Sequence, residues 1–239
     1  MQPYVLRRET RYGTPAADQI LVNRYYMVGY SYYFRQAKWA LEIVSKDLEA
    51  VDRINNFRPD YRVPRRFRTD LQDFRGSGFD RGHLVSSANH DESVLENSET
   101  FLLSNMAPQA PHFNRGIWRK LETDVRALNN QAHILETYVL CGPIFDFDQP
   151  IHLIGVGDDN EVSIPVPHAF FKSVLTEDLR GNLHMWSFVL PNAASTAPLA
   201  DFRVPTTRVE DMAGILLWSG LVGPEIEKEK RKKRPYWNP

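Results

Sequence analysis

The segment Gly76-Ser77-Gly78-Phe79-Asp80-Arg81-Gly82-His83, read with Asn114 and Glu122 about thirty residues later, dominates what the sequence predicts. An imidazole whose ordinary pKa lies near neutrality can accept a proton from water, and an arginine two residues away can hold an anion beside it. An amide oxygen such as that of Asn114 suits a hard cation that keeps most of its water, as magnesium does in phosphoryl chemistry. The pattern therefore indicates phosphodiester cleavage, with a base, a metal ligand and phosphate-binding charge.

Composition limits the alternatives. The chain has 239 residues, of which 42% are hydrophobic, and no apolar run approaches the length of a membrane span. No internal repeat or low-complexity linker divides it, so we expect one soluble α+β domain over residues 1–239 that does not enter a membrane. Cys141 lies in an apolar run and is expected in a buried strand. The first residues resemble neither a secretory signal nor a transit peptide, which predicts an intracellular, cytoplasmic protein.

A formal net charge of −1 means that any basic surface for a polyanion must be local. One candidate is the arginine-rich segment from Arg53 to Arg81. The other is the tail that runs from Lys228 to Arg234, which we expect to be a solvated, poorly ordered end rather than a nucleic-acid contact.

Hydrophobic periodicity predicts a strand-rich chain with one important helix. Residues 20–45 are expected to form a two-stranded hairpin at a sheet edge, because apolar and aromatic residues alternate there with polar ones. Residues 114–130 place Trp118, Leu121, Val125 and Leu128 on one face of a helix. Further strands are predicted at 137–140, 163–167, 170–175 and 183–190, and a late helix at 208–217.

On the predicted helix, Glu122 and Arg126 are four residues apart and share a face, and Asn114 approaches that face from the helix start. All three can point into one cleft. In the alternative interpretation, Glu122 and Arg126 form a surface ion pair and Asn114 caps the helix. The histidines other than His83 show no spacing typical of zinc ligands.

Several ordered motifs resemble a known family, the DNA/RNA non-specific endonucleases with a ββα-metal finger, and within it the endonuclease G branch. The similarity covers roughly residues 10–220. The motifs are Gly76–His83, Asn89-His90, Thr100–Gln109, Asn114–Trp118 and Leu121-Glu122, with Arg53–Asp60 upstream and Cys141–Pro143, Val166–Lys172 and Leu190–Asn192 downstream.

The resemblance implies a fold and a set of roles. The fold would be the α+β ββα-metal (His-Me finger) nuclease fold, a central antiparallel sheet flanked by helices, with a basic tail at about 225–239. His83 would be the general base and Asn114 the single protein ligand of the metal. The other implied site residues are Glu122, which orients water on the metal, Asn105, which supports the histidine and the metal-bound water, Arg81 and Asp80, which charge and shape the loop beside the substrate, and Arg53 and Arg126, which bind phosphate.

The same resemblance implies a magnesium-dependent endonuclease, with manganese able to substitute, that cuts DNA and RNA with little sequence preference. Its products would carry 5'-phosphate and 3'-hydroxyl ends. A homodimer is a further expectation, and a mitochondrial location would follow if a presequence is missing from the sequence. Two alternatives remain open: a catalytically silent nucleic-acid-binding protein and a phosphodiesterase acting on small nucleotides.

Overall fold

The computed structural model describes residues 7–46, 51–157 and 161–237, and it has the predicted α+β architecture. Seven antiparallel strands form a central sheet in the order β1-β2-β3-β6-β9-β10-β11, while β4 pairs with β5 and β7 with β8 in two small ribbons. The strands are β1 (Gln19–Val22), β2 (Tyr26–Ser31), β3 (Gln36–Ile43), β4 (Asp80–His83), β5 (Met106–Gln109), β6 (Ile134–Ile144), β7 (Leu153–Ile154), β8 (Ile164–Pro165), β9 (Ala169–Asp178), β10 (Leu183–Pro191) and β11 (Arg203–Val204).

The helices are short and lie on both sides of the sheet. No helix within the described ranges is long and apolar enough to cross a membrane. The helices are α1 (Leu71–Phe74), α2 (Val94–Thr100), α3 (Pro111–Phe113), α4 (Arg119–Asn129), α5 (Thr206–Ala213) and α6 (Pro224–Lys230), with a π-turn at Asn114–Trp118 and 3-10 turns at Arg8–Thr10, Arg65–Phe67, Ser87–Asn89, Leu103–Asn105 and Leu199–Phe202.

The central sheet is buried on both faces because successive side chains of each strand point in opposite directions. In β6, Val139 and Cys141 pack with the apolar face of α4, whereas Tyr138 and Leu140 pack on the other side with α5 and the segment after it. The prediction for Cys141 is therefore confirmed. Burial raises the pKa of its thiol to about 12, so it behaves as a small apolar residue.

Three predicted elements differ in detail from the structure. Residues 20–45 form three strands, because the chain turns between β1 and β2 where a single strand was predicted, and β1 lies at the edge. The strand predicted at 163–167 shrinks to β8, which pairs with β7 outside the main sheet. The late helix, α5, ends where Gly214 adopts a left-handed conformation with φ of +62°.

The tail is ordered and not poorly ordered as predicted, although Lys228 and residues 231–233 are exposed to solvent as expected. Residues 224–230 form α6, in which Lys230 is buried and its ammonium lies 2.8 Å from a carboxylate oxygen of Glu210. After it, Tyr236 and Trp237 stack on one another and pack into the core on the α4 side. The sequence does not predict this packing, because the buried aromatic residues lie after the run of alternating Lys and Glu and not within it.

Trp237 is predicted to be a major stabilising residue of this region. Its ring is 7% exposed and its Nε1 donates a hydrogen bond to the Asp124 carbonyl of α4, 2.9 Å away. Trp237→Ala should lower the free energy of unfolding by about 3–5 kcal/mol, as other buried aromatic truncations do, whereas Trp237→Phe should cost much less. Urea denaturation measures both, and equal losses for the two variants would mean that the hydrogen bond outweighs packing.

Candidate active site

The candidate site is built on a ββα unit that lies against the central sheet. Strands β4 and β5 pair antiparallel, with His83 opposite Met106 and Gly82 opposite Ala107. A side chain at position 82 is excluded, because a Cβ there would lie 2.1 Å from the side chain of Gln109. After β5 the chain enters α3, the π-turn and α4, and this unit carries most of the predicted site residues.

The π-turn sets the start of the site's helix. It spans Asn114–Trp118, with non-helical backbone angles at Gly116 (φ −105°, ψ −107°). Such π-turns occur often at functional sites because they re-aim side chains without ending the helix. Here the turn presents Asn114 and Arg115 on the side of β4, while Trp118 points inward and donates through Nε1 to the carbonyl oxygen of His83 at 3.2 Å.

A cavity of about 300 Å³ lies between β4 and the start of α4. Four arginines and four polar or acidic side chains surround a single histidine, so the site favours an anion with a hard cation nearby. The lining residues are Arg53, Arg81, His83, Ser86, Ser87, Asn114, Arg115, Arg119 and Glu122.

His83 is held as a buried, neutral imidazole. Its side chain is 9% exposed and packs edge-on against Phe57 and Phe101, with ring centroids 5.7 and 4.9 Å away. Burial and the neighbouring charges of Arg53 and Arg81 lower its pKa to about 3. Nε2 is buried and has no hydrogen-bond partner among the described residues, so this ring nitrogen is left unpaired.

The depressed pKa of His83 makes a stability prediction. Below pH 6.5, the ordinary pKa of histidine, the His83 imidazole binds a proton in the unfolded chain but stays neutral in the folded protein. The free energy of unfolding should therefore fall with decreasing pH, by about 1.4 kcal/mol per pH unit from this residue. In urea unfolding at pH 7 and pH 5, His83→Gln should lose about 2 kcal/mol less than the wild type between the two conditions. Identical losses would contradict a neutral buried His83.

Asn114 is oriented by Asp80. Its Nδ2 donates to Asp80 Oδ2 at 2.9 Å, and Arg115 donates to both oxygens of the same carboxylate at 2.9 and 2.7 Å. An ionised carboxylate accepts only, so the amide nitrogen must face Asp80 and the amide oxygen remains free on the other side. Partial burial would raise the pKa of Asp80, but hydrogen bonds from Arg115 and Asn114 outweigh it and lower that pKa.

This arrangement changes the role predicted for Asp80. Sequence reasoning placed it with the substrate-binding residues, yet its carboxylate is engaged by Asn114 and Arg115 and would repel a phosphate. Asp80 therefore orients a neighbouring side chain.

Glu122 closes the cavity on the α4 side. Burial raises the pKa of its carboxyl group, and the charges of Lys172 and Arg126 oppose that shift. Lys172, on β9, is only 1% exposed, and its ammonium lies 4.3 Å from the centre of the Trp118 ring. A buried lysine beneath the cavity thus supplies positive charge that favours the ionised form of Glu122.

Two other predicted site residues lie outside the cavity lining. Asn105 is fully buried, and its amide makes three backbone hydrogen bonds of 2.9–3.0 Å, two to Val85 and one to Thr100. It fixes the chain just after His83 and has no free atom for water or metal. Arg126 donates to Asn89 Oδ1 and to Thr123 Oγ1, both at 3.0 Å, so it reaches Glu122 only through its charge.

The structure separates Arg53 from its neighbour Arg58. Arg53 lines the cavity, donates to Ser87 Oγ at 3.1 Å and lies over the Phe101 ring at 5.0 Å. Arg58 instead donates to the backbone oxygens of Asn56 and Ser98.

Several cavity residues were not singled out from the sequence. Arg115 and Arg119 are seven and three residues before Glu122, a helical spacing that places them at the same face as its carboxylate. Ser86 and Ser87 follow His83 closely, and no sequence pattern indicated that they belong to the site. Lys172 introduces a charge into the buried stretch 169–176 of β9, which is the feature that a sequence could reveal.

Comparison with known proteins identifies the family. A family model described as DNA/RNA non-specific endonuclease matches residues 7–223. The chain belongs to this endonuclease family. As a DNA/RNA non-specific endonuclease it is a hydrolase, and the expected resemblance to endonuclease G is confirmed.

Relatives of this endonuclease share most of its length. It is 34% identical to Caenorhabditis elegans "Endonuclease G, mitochondrial" over 94% of this chain and 76% of that protein. Against the Homo sapiens protein of the same name the identity is 34%, over 86% of this chain and 71% of the other. A solved EndoG/EndoGI complex, which concerns EndoG inhibition, superposes with a TM-score of 0.84 at 32% identity and covers 98% of this chain and 99% of that one.

Proposed function

We propose that this endonuclease uses magnesium and a histidine base to cut DNA and RNA into products with 5'-phosphate and 3'-hydroxyl ends. The observation that carries the proposal is the shared cavity: a neutral His83 with an unpaired Nε2, and Asn114 with its free amide oxygen, both line one arginine-rich space. His83 would take a proton from the attacking water, opposite the leaving oxygen.

The donor set fits a hard cation that keeps most of its water. Nucleases of this family depend on a metal. No group of three or more His, Cys, Asp or Glu in the described part of the chain could cage a metal, so a site here would rest on the Asn114 oxygen with Glu122 facing it across the cavity. Amide and carboxylate oxygens with room for water suit magnesium, and manganese could substitute. When bound, the ion would supply positive charge for the transition state and the departing oxygen.

The depressed pKa of His83 is compatible with this role. Two arginines lower that pKa in the substrate-free protein, and a phosphate between them would offset their charge. The imidazole would therefore become a stronger base when substrate is present. Arg53 and Arg81 would then stabilise the extra negative charge of the transition state.

Arg53 and Arg58 offer a matched pair for this proposal. Arg53→Ala should reduce kcat/KM by about tenfold to a thousandfold, because a guanidinium is lost from the scissile phosphate. Arg126→Ala should cost less, since its guanidinium is held by Asn89 and Thr123. The control, Arg58→Ala, should leave kcat/KM within threefold once folded protein is counted, and a larger loss for Arg58 than for Arg53 would contradict this placement of the segment.

Supercoiled plasmid and structured RNA test the proposal directly. Incubation with magnesium should nick and then degrade both, chelation should stop the reaction, and rising salt should slow it because each phosphate contact releases counterions. End mapping should find 5'-phosphates at many unrelated sequences, since backbone contacts carry no base information. Activity confined to dinucleotides and mononucleotide esters would support the small-nucleotide alternative, and binding without cleavage the silent one.

Cell placement and assembly are proposals of the same kind. The mitochondrial names of the relatives favour a mitochondrial location over the cytoplasmic one predicted from the sequence. Fractionation of the native host would test it. A homodimer, and one nuclease domain over residues 1–239, likewise remain proposals that light scattering and limited proteolysis can check.

A further inference from the structure

The motif Asn89-His90 lies outside the lining of the catalytic cavity, although it follows His83 closely along the chain. Both side chains are buried, with 4% and 2% of their surface exposed. Asn89 is the last residue of the 3-10 turn Ser87–Asn89, which lies between β4 and α2 along the chain. Buried amide and imidazole groups need hydrogen-bond partners, and those of Asn89 and His90 are side chains of distant segments.

Glu42 is the common partner of the two residues. It lies on β3 with 0% of its surface exposed, on the face of the sheet that packs against α4. Asn89 donates through Nδ2 to Glu42 Oε2 at 3.0 Å, and Nε2 of His90 lies 3.0 Å from the same oxygen. An ionised carboxylate only accepts, so the amide and ring nitrogens that face it carry hydrogens. Two neighbouring residues are therefore fixed to one buried oxygen.

Stability alone does not account for a carboxylate at this position. No lysine or arginine in the described ranges forms an ion pair with Glu42, and its second oxygen, Oε1, is buried without a hydrogen-bond partner among those residues. Transferring such a group from water is costly, and an apolar side chain of similar volume often stabilises a core at least as well. The residues two positions before and after it, Ala40 and Val44, are apolar and buried. The polar contacts of Glu42 therefore serve something other than packing.

The amide of Asn89 connects Glu42 to α4. With Nδ2 turned towards Glu42, Oδ1 faces the other way and accepts a hydrogen bond from Nη1 of Arg126 at 3.0 Å. Arg126 in turn supplies positive charge beside Glu122, which lines the catalytic cavity. The contacts thus run without a break from a buried position of the sheet to an arginine beside the cavity wall.

The same turn holds a second arginine of the site. Ser87 Oγ accepts a hydrogen bond from Nη1 of Arg53 at 3.1 Å. From α2, Asn97 donates through Nδ2 to the carbonyl oxygens of Ser87 and His90, at 2.8 and 3.3 Å, which fixes the turn from its other side. The turn Ser87–Asn89 therefore presents one acceptor to Arg53 and one to Arg126, and its own position is set by Glu42 and Asn97.

We propose that Glu42 is a positioning residue of this endonuclease: it anchors the turn Ser87–Asn89, and through that turn it places Arg53 in the cavity and Arg126 beside Glu122. A guanidinium stabilises a phosphate from a defined distance and direction, so a shift of its acceptor moves the charge away from where it acts. That the two arginines serve phosphodiester cleavage rests on the proposed function above. The hydrogen bonds that form the anchor are independent of the metal and of the base.

Two substitutions of Glu42 separate its hydrogen bonds from its charge. Glu42→Leu removes the acceptor and should lower kcat/KM of plasmid cleavage about tenfold, mainly through kcat, because the displaced arginines act on the transition state. Glu42→Gln can keep an oxygen where Oε2 stands, and it should stay within about threefold of the wild type. Equal losses in the two variants would overturn the proposal, because the carboxylate would then act by its charge and not by holding the turn.

A mutant cycle tests whether Glu42 acts through the arginines. In a protein that carries both Arg53→Ala and Arg126→Ala, Glu42→Leu should lower the remaining kcat/KM less than about twofold, since the groups that it positions are gone. A residue with a merely structural role would cause the same tenfold loss in both backgrounds, and that result would overturn the proposal. If Glu42→Leu does not fold, Asn89→Ala replaces it. This variant should cost about threefold in the wild type and nothing further in Arg126→Ala, and equal losses there would likewise contradict the proposal.

Asn129→Ala is the matched control for the loss of a buried amide. Asn129 is 1% exposed, lies on α4 three positions after Arg126, and donates only to the backbone oxygens of Val44 and Ser45. Once folded protein is counted, its kcat/KM should stay within about twofold of the wild type, and a loss as large as that of Asn89→Ala would overturn the proposal. All rates are ratios to the wild type with whichever divalent cation supports cleavage, so a failure of magnesium or of His83 in the proposed function would leave this comparison intact.

Discussion

His83→Ala is expected to lower the single-turnover cleavage rate by about a hundredfold to ten-thousandfold, because the variant loses the group that we propose takes the proton from water. The affinity for nucleic acid, measured with a chelator present, should stay within threefold of the wild type. The four arginines that line the cavity remain in place, and they supply its positive charge.

Two comparisons make the His83 result interpretable. His112→Ala removes an exposed imidazole from α3, outside the cavity lining, and should cleave at the wild-type rate. Because His83 lies among Phe57 and Phe101, thermal unfolding must show that the variant is folded under assay conditions. A folded His83→Ala protein that cleaves within tenfold of the wild type would rule out His83 as the base.

Asn114→Ala is expected to reduce cleavage by more than about a hundredfold at limiting magnesium, because a site with one protein ligand has no other to replace it. Glu122→Gln should do less damage, since an amide still accepts a hydrogen bond from water. Asp80→Ala should fall between them. It frees the Asn114 amide to rotate, and should raise the magnesium concentration needed for half-maximal activity by about ten- to a hundredfold.

Magnesium titrations distinguish these outcomes. In Asp80→Ala the loss should be recovered in part at high magnesium, whereas Asn114→Ala should remain impaired. Asn182→Ala, in an exposed turn between β9 and β10, is the matched amide control and should titrate like the wild type. If Asn114→Ala cleaves normally at limiting magnesium, the metal must bind elsewhere.

The sequence predicted those parts of the site that depend on neighbours along the chain. The apolar face that includes Trp118 was predicted as a helix and forms α4, because its periodicity is local, whereas the run from Asp80 to His83, expected as a loop, forms β4. Positions that depend on distant contacts were less accessible. Asn105 lies in a motif that predicts a site residue. Its amide is nevertheless hydrogen-bonded to Val85 and Thr100, because the chain folds back on itself there.

Long-range contacts also account for the residues that were missed. Lys172 reaches the site only because β9 lies next to β6 under α4, a pairing that strand patterns do not specify. The tail was misjudged for a related reason: the partner of Trp237 is Asp124, more than a hundred positions earlier. A hydropathy profile along the sequence predicts neither the pairing of β9 with β6 nor the contact of Trp237 with Asp124.

The contact between Trp237 and α4 has a consequence for the order in which the site is completed. Residues 236 and 237 are among the last described residues to be synthesised, and they cover the helix that carries Glu122. Until they leave the ribosome, that surface of α4 has no cover and the catalytic helix lacks two of its hydrogen bonds. The helix that carries Glu122 would thus acquire its final packing only after a segment more than a hundred positions further along the chain has been synthesised.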